Sequence, residues 1–356
     1  MHKYQFYISF NEKINTAASK ATQDCKSMLS NAGYQDHSIE DLLPTDKNFH
    51  LKLIKRLLLF FVAIKPMSVV AVQYPLLSGN AAFKYFIKAA RLKKVRFFCV
   101  IHDVDTLRYG QTTGSKAVQS LDVLNHYDCI IAHNRVMAKW LVDSGVSAKI
   151  VLLKLFDYLT VRNKLSVHKV SSPADIKTIV FAGNLSKSGF VYALHSIENW
   201  HFNLYGPNYL TDKSGGQANV NWMGVLSPDD ILTNLNGAFG LVWDGEHTDK
   251  LDGTFGNYLK YNNPHKLSLY LAAGLPVIAP VDAAIESFIR EHNIGILVKS
   301  LDDLRFIDID NETYETYKSN VLLISDKIKT GAYLSEAIDK VENYLGVGAI
   351  DLEASY

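Results

Sequence analysis

Residues 262–278 of this 356-residue chain place a cation where a helix ordinarily repels one. The pattern from Asn263 to Ile278 predicts a short helix with Asn263 as N-cap and Pro264 at the first helical position, where its missing N–H costs nothing. Gly274 is placed to end that helix, and Leu275 to Ala279 then starts a buried strand. Leu267, Tyr270 and Leu271 share one face and anchor it in a core. Lys266 falls in the first turn, at the positive end of the helix dipole. A lysine there is explained if backbone N–H groups of the helix end hold an anion that the ammonium neutralises, which points to a phosphate site. The plainer alternative is a solvated lysine on an ordinary helix.

Other residues with chemical potential sit at predicted strand ends. Phe181-Ala182-Gly183-Asn184-Leu185-Ser186-Lys187 follows a strand, so Gly183 allows close backbone approach to a ligand and Lys187 is available for a phosphate. Tyr205 and Trp243 read as wall and core residues, Asp244 as a cap or a ligand-facing carboxylate, and Trp222 as a base-stacking aromatic. A further strand, Arg96 to Ile101, ends at His102-Asp103-Val104-Asp105. His102 and Asp103 there are candidates to deprotonate a hydroxyl or to hold one, against the alternative of satisfying turn backbone. Asp103-Val104-Asp105 also fits an Asp-x-Asp metal site, but so does Asp308-Ile309-Asp310, and the tripeptide is common. No metal is expected.

These residues need a scaffold, and the sequence predicts one of alternating strands and helices. Strands are predicted at 4–10, 68–74, 95–101, 129–132 and 149–155, with helices at 16–31, 48–64, 79–92, 115–126 and 134–144 between them. After a lapse near 157–175 the alternation resumes, with strands at 176–182, 201–205, 219–223, 237–243, 275–279 and 295–298. Helices over 228–236, 283–292, 311–328 and 333–345 complete it. Continuous apolar strands separated by helices indicate parallel sheets covered on both faces. The expected fold is therefore α/β, with two doubly wound Rossmann-like domains facing across a cleft at the carboxyl ends of their strands. The expected boundaries are an N-terminal domain at 1–157, a linker at 158–175, and a C-terminal domain at 176–330. A C-terminal helix and tail at 331–356 is expected to pack back on the first domain.

Composition narrows the function. Net charge is +1, without the strongly basic footprint of a nucleic-acid binder. The three cysteines, Cys25, Cys99 and Cys129, lie far apart and read as buried thiols, so a cytoplasmic setting is expected. The N-terminus lacks a signal-peptide core. The run Leu57 to Ile64 is far shorter than the roughly 20 apolar residues of a membrane span. With Lys52, Lys55, Arg56 and Lys65 around it, it reads as a core helix with basic ends, or as peripheral contact with the inner face of a membrane. Gly-x-Gly-x-x-Gly after the first strand, the P-loop and Gly-x-Ser-x-Gly are all absent, which removes the usual support for dinucleotide redox, P-loop hydrolysis and α/β-hydrolase chemistry.

Taken together, Asn15-Thr16-Ala17, Ile101-His102-Asp103-Val104, Phe181-Ala182-Gly183-Asn184, Gly240-Leu241-Val242-Trp243 and His265-Lys266-Leu267 with Tyr270 to Ile278 resemble the GT-B glycosyltransferases. The likeness is to the bacterial glucosyltransferase 3 family and to related galactofuranosyl and exopolysaccharide transferases, and it spans most of the chain. The resemblance implies a UDP site on the second domain. Asn263, Pro264, His265, Lys266, Leu267 and Ser268 would surround the diphosphate and ribose, Gly183 and Asn184 would approach the ligand, and Trp222 would lie near the base. Thr16 would reach the diphosphate from the first domain. Lys187 stands where the relatives carry arginine, and lysine lacks the bidentate fork. The Gly- and Asp-rich insert from Asp244 to Tyr261 is longer than in those relatives.

The expected activity is transfer of a hexose, glucose or galactofuranose, from a UDP-sugar to a glycan, glycopeptide or lipid-linked acceptor. UDP-sugar is a substrate, so no cofactor is expected, and Asp103 and His102 are the candidate catalytic residues. A homo-oligomer is compatible with the sequence. Two readings differ in kind: a UDP-sugar epimerase of the same architecture, and a non-catalytic partner subunit that binds a glycan or a sister transferase.

Overall fold

The computed structural model describes residues 1–8, 17–40, 42, 45–76, 79–110, 121–160, 176–210, 212 and 218–347. Its contacts sort into two compact units, one built on Thr22–Leu153 with the opening strand and the last helix, the other on Lys154–Ala332.

The first unit holds one parallel sheet. Its strands are β1 (Lys3–Phe6), β2 (Gln35–Asp36), β3 (Val69–Tyr74), β4 (Arg96–Ile101), β5 (Cys129–Ala132) and β6 (Lys149–Leu152), ordered β2-β1-β3-β4-β5-β6. Helices α1 (Ala17–Asn31), α2 (Phe49–Ala63), α3 (Asn80–Ala90), the short α4 (Asp105–Arg108) and α5 (Arg135–Asp143) alternate with them. All six residues of β3 are buried, as a strand covered on both faces requires. Phe60 of α2 stacks on Phe6 at 5.5 Å and on Phe86 of α3 at 5.2 Å, which fixes both helices on one face of the sheet. Cys25, Cys99 and Cys129 are buried thiols.

The second unit repeats the design. Strands β7 (Thr178–Ala182), β8 (His201–Tyr205), β9 (Val220–Trp222), β10 (Phe239–Leu241), β11 (Val277–Pro280) and β12 (Gly295–Val298) form a parallel sheet ordered β12-β11-β10-β7-β8-β9. The chain moves outward from β7 to β9, then returns to the other side of β7 with β10. The strand order therefore reverses between β7 and β10, and the crevice beyond their carboxyl ends is where open α/β sheets bind ligands. Helices α6 (Pro228–Asn234), α7 (Gly253–Tyr258), α8 (His265–Ala272), α9 (Glu286–His292) and α10 (Asn311–Thr330) connect and cover these strands. Helix α11 (Ala332–Tyr344) belongs to the first unit beyond its first residue, and its Glu342 pairs with Lys3 at 2.7 Å and accepts from the Tyr34 hydroxyl at 2.9 Å.

Several elements differ from the sequence pattern. Strand β1 stops at Phe6, with Ile8 making only an isolated bridge to Ile39. The β7–β8 crossover is three 3-10 turns, Leu185–Lys187, Gly189–Tyr192 and Leu194–Ser196. Helix α7 lies inside the insert after Asp244, where two glycines, Gly253 and Gly256, mask the helical pattern. Of the helix expected at 115–126, residues 115–120 lie outside the described residues, 121–122 are helical, and Val123–His126 form a 3-10 turn. Thr16 and residues 161–175 of the expected linker lie outside the described residues. The apolar run of helix α2 is divided: Leu57, Phe60 and Ile64 are buried, while Leu58, Leu59 and Val62 are exposed.

Candidate functional site

Helix α8 begins one residue later than the pattern predicts. Its N-cap is Pro264, in extended backbone at φ −72° and ψ 138°, and no side chain caps it. Asn263 is buried and serves another purpose, donating from Nδ2 to the Lys154 carbonyl at 3.0 Å. One turn on, Ser268 donates to the Phe156 carbonyl at 2.7 Å, and the His265 ring stacks on Phe156 at 4.4 Å. Leu267 is fully buried. Asn263, His265 and Ser268 hold the segment 154–156 against the helix, and Asn263, Leu267 and Ser268 have no surface to offer a ligand directly. The far end closes as expected: Gly274, at φ +80°, donates to the Leu271 carbonyl and Leu275 to that of Tyr270, a Schellman termination.

Helix α8 is fixed to the sheet by Tyr270. The amide of Ala182, the last residue of β7, donates to its hydroxyl at 2.8 Å. Its ring fills the space beside Gly240 so closely that a Cβ there would lie 2.1 Å from the ring. Burial raises the Tyr270 hydroxyl well above the usual tyrosine range and keeps it protonated.

Lys266 is thereby delivered to the carboxyl ends of β7 and β10. Its Nζ lies 2.6 Å from Asp244 Oδ1 and 3.2 Å from the Trp243 carbonyl, and 4.5 Å from the centre of the Phe181 ring. A Cβ on Gly183 would come 3.1 Å from Lys266 Cε, so the glycine leaves the room in which the lysine lies. Gly183 in turn abuts Gly206, the turn after β8. At Gly206, with φ +139°, a Cβ would fall 1.8 Å from the Gly183 carbonyl oxygen. The crossing point of the sheet thus gathers a glycine turn, a part-buried ammonium, a carboxylate and a helix N-terminus.

Lys187 stands on the first 3-10 turn after Gly183, exposed, with its Nζ 4.6 Å from the Phe255 ring centre of α7. Asn184 is a turn residue: its Oδ1 accepts from the Ser186 amide at 3.1 Å and from Asn208 Nδ2 at 3.0 Å. Trp222 is half exposed, donates to the Gly206 carbonyl at 3.0 Å, and stacks on Tyr209 at 5.9 Å. Tyr209 stacks on Tyr192 at 5.6 Å, so Trp222 ends a row of three rings. Tyr205 and Trp243 are buried wall residues, with the Trp243 indole donating to the His247 carbonyl at 3.0 Å.

The insert wraps this corner. Asp252 accepts from the Glu246 amide at 2.8 Å and pairs with the His247 ring, and these contacts hold its carboxyl below the usual range. A Cβ on Gly256 would meet the Asp244 carbonyl at 2.7 Å, so α7 folds back on the residue that holds Lys266. The sequence named Lys266, Gly183 and Lys187. It gave no role to Phe181 or Phe255 and left Asp244 undecided, although the offset of Asp244 from the end of a buried strand could have paired it with the lysine.

In the first unit, His102 follows β4 and its Nε2 lies 2.9 Å from Gln73 Oε1 of β3, so Nε2 carries the proton and the lone pair sits on Nδ1. Burial pushes the ring down to about 4. His133, at the end of β5, donates from Nε2 to the Ile101 carbonyl at 3.1 Å, and burial with the neighbouring His102 pushes it to about 3. Asp103 is ion-paired with Arg108 of α4 at 2.7 Å, while Asp105 opens that helix. Among the described residues no group of three His, Cys, Asp or Glu side chains is placed to hold a metal.

Known proteins resemble this chain in sequence and fold. Models of the N-terminal and C-terminal domains of glucosyltransferase 3-like proteins match residues 5–155 and 179–341. Over 260 residues the chain is 39% identical to the beta-1,6-galactofuranosyltransferase WbbI of Escherichia coli (strain K12), spanning 70% of this chain and 72% of that protein. It is 28% identical over 259 residues to glucosyltransferase 3 of Streptococcus gordonii, spanning 71% and 72% of the two. The fold is similar to that of a UDP-forming trehalose-phosphate synthase from Burkholderia xenovorans, with a TM-score of 0.59 at 10% identity over 96% of this chain and 99% of that one. Two matched domain models and a 39% identical relative carry the assignment: the chain belongs to the glucosyltransferase 3-like family of GT-B glycosyltransferases.

Proposed function

We propose that this protein transfers a hexose from a UDP-sugar to a glycan or glycoconjugate acceptor, with the diphosphate neutralised by side chains and backbone of the second unit. The observation that carries the reading is Lys266, a part-buried ammonium in the first turn of α8 and beside the glycine turn after β7. In the transfer, the bond between the sugar's anomeric carbon and the diphosphate breaks as the acceptor oxygen bonds to that carbon. Negative charge grows on the departing UDP, and the ammonium with the uncapped N–H groups of α8 opposes it, a task a divalent cation performs in other transferases. Lys187 adds a second cation, and the outer face of Trp222 offers a surface for the uracil ring. The relatives' names point to glucose and galactofuranose as the sugars to try first.

The acceptor side is assigned to His102 and Asp103 of the first unit. A ring titrating near 4 is a weak base at neutral pH, which suits His102 to orienting a hydroxyl rather than deprotonating it. Asp103 is the stronger candidate for the proton, and accepting it means giving up part of its pairing with Arg108.

The test is incubation of the protein with UDP-glucose or UDP-galactofuranose in EDTA, with and without a panel of glycan acceptors. Release of UDP together with a lengthened glycan is expected. Conversion of the donor alone to a new sugar nucleotide would identify an epimerase instead. A folded protein that does not bind UDP would be a partner subunit.

A further inference from the structure

Helix α2 carries two apolar stripes. Phe49, Leu53, Leu57 and Phe60 are buried against the sheet. On the opposite face Leu51, Ile54, Leu58 and Val62 recur at helical spacing and are exposed, Leu58 by 60% and Val62 by 78%. Among the described residues nothing buries the second stripe. Its neighbours on the helix are Lys52, Lys55, Arg56 and, just beyond the end, Lys65, all exposed.

The apolar surface continues past the helix. Lys93 donates to the Ile64 carbonyl at 3.1 Å, and the Met67 amide donates to the Lys93 carbonyl at 2.9 Å. These bonds bring the turn after α3 beside the end of α2, and with it Leu92, which is 86% exposed, and the exposed Met67.

The charge pattern is as unusual as the apolar one. Between Asp46 and Asp103 the sequence contains no Asp or Glu, but eleven lysines and arginines. The whole chain has a net charge of +1, so its remaining residues sum to about −10. Some of these cations are matched from outside the segment, as Lys84 is by Asp122 and Arg91 by Asp128 at 3.0 Å. Lys55, Lys65 and Lys94 remain on the exposed surface.

We infer that the outer face of α2, with Met67 and Leu92, docks on the surface of a lipid bilayer rich in anionic headgroups. A polyanion in water would use the lysines and leave Leu51, Leu58 and Val62 with no role. A second protein surface could cover the apolar stripe but would not account for the lack of acids. A bilayer interface accepts both, with apolar side chains entering the acyl boundary and cations remaining among the headgroups. No described helix is long and apolar enough to cross a membrane, so the contact is peripheral.

The experiment is flotation of the full chain with vesicles of phosphatidylcholine alone or of phosphatidylcholine and phosphatidylglycerol in equal parts. Binding is expected only to the anionic vesicles and should weaken with salt. Leu58→Ser with Val62→Ser should reduce it more than about tenfold by removing buried apolar area. Lys55→Glu with Arg56→Glu should reduce it at least about fivefold per residue. All four positions are exposed, and unchanged melting curves will show that the variants fold. Three results would overturn the inference: no flotation with anionic vesicles at low salt, flotation unaffected by either pair, or a lipid-free dimer that the Leu58 and Val62 changes dissociate.

Discussion

Lys266 of α8 and Asp244 beyond β10 form an ion pair at 2.6 Å, with each side chain less than a fifth exposed. The carboxylate holds the ammonium at the strand crossing. In the proposed donor site it would compete with the diphosphate for that ammonium. Asp244→Asn keeps a carbonyl acceptor for the lysine and removes the competing charge. UDP affinity should rise by about 1 kcal/mol, the scale of a partly solvated ion pair, in a calorimetric titration. A fall in affinity would mean that Asp244 is needed to position the lysine.

Gly183 and Gly206 make different demands. A Cβ at Gly183 meets a flexible lysine, whereas one at Gly206 meets the backbone oxygen of Gly183 in a left-handed conformation. Gly183→Ala should therefore keep the melting temperature and weaken UDP binding by pushing Lys266 aside. Gly206→Ala should destabilise the second unit itself, by about 1–3 kcal/mol from strain alone. Equal stability losses in thermal unfolding would refute the distinction.

The acceptor assignment separates cleanly from the donor site. Asp103→Asn and His102→Ala should both leave UDP affinity unchanged and slow transfer. Loss of a general base typically costs about 10²–10⁴-fold in rate, so Asp103→Asn should show the larger effect. Near-normal transfer by Asp103→Asn would reject it as the base. Lost UDP binding in either variant would move these residues to the donor side.

Stability should depend on acidity through His102 and His133. Both rings are held below the ordinary histidine value near 6.5, at about 4 and about 3. Above pH 6.5 the folded and unfolded chains bind equal numbers of protons at these sites, so nothing changes there. Below it the unfolded chain takes up protons that the folded chain refuses, and stability falls as the pH drops toward 4. Urea midpoints at a series of pH values should show this slope, and His133→Gln should flatten it. An unchanged slope in that variant would mean that other groups carry the acid sensitivity.

Much of this was legible in the sequence because the strands are buried on both faces. Val69 to Tyr74, interrupted only by Gln73, and Cys129 to Ala132 read as apolar runs, and the structure forms strands there. The end of α8 was equally clear, since Gly274 has a conformation that few other residues adopt. Its beginning was not: Asn263 is a good capping residue by type, but its amide is committed to Lys154, more than a hundred positions away. Asp244 was left undecided and Phe255 given no role for the same reason, because their partners are set by strand order rather than by local spacing. The two faces of α2 could not be told apart either, since both stripes are apolar and only the packed sheet shows which one is buried.

Whether Lys266 and the helix behind it hold the diphosphate of UDP without a metal is decided by calorimetric titration of UDP and of uridine, in EDTA, into the unaltered protein and Lys266→Ala. The unaltered protein should bind UDP in EDTA. Lys266→Ala should lose about 1.5–3 kcal/mol of that affinity, the scale of a charge-assisted hydrogen bond, while uridine affinity stays the same. Binding of UDP only after manganese is added, or equal UDP affinity in both proteins, would contradict metal-free binding through Lys266.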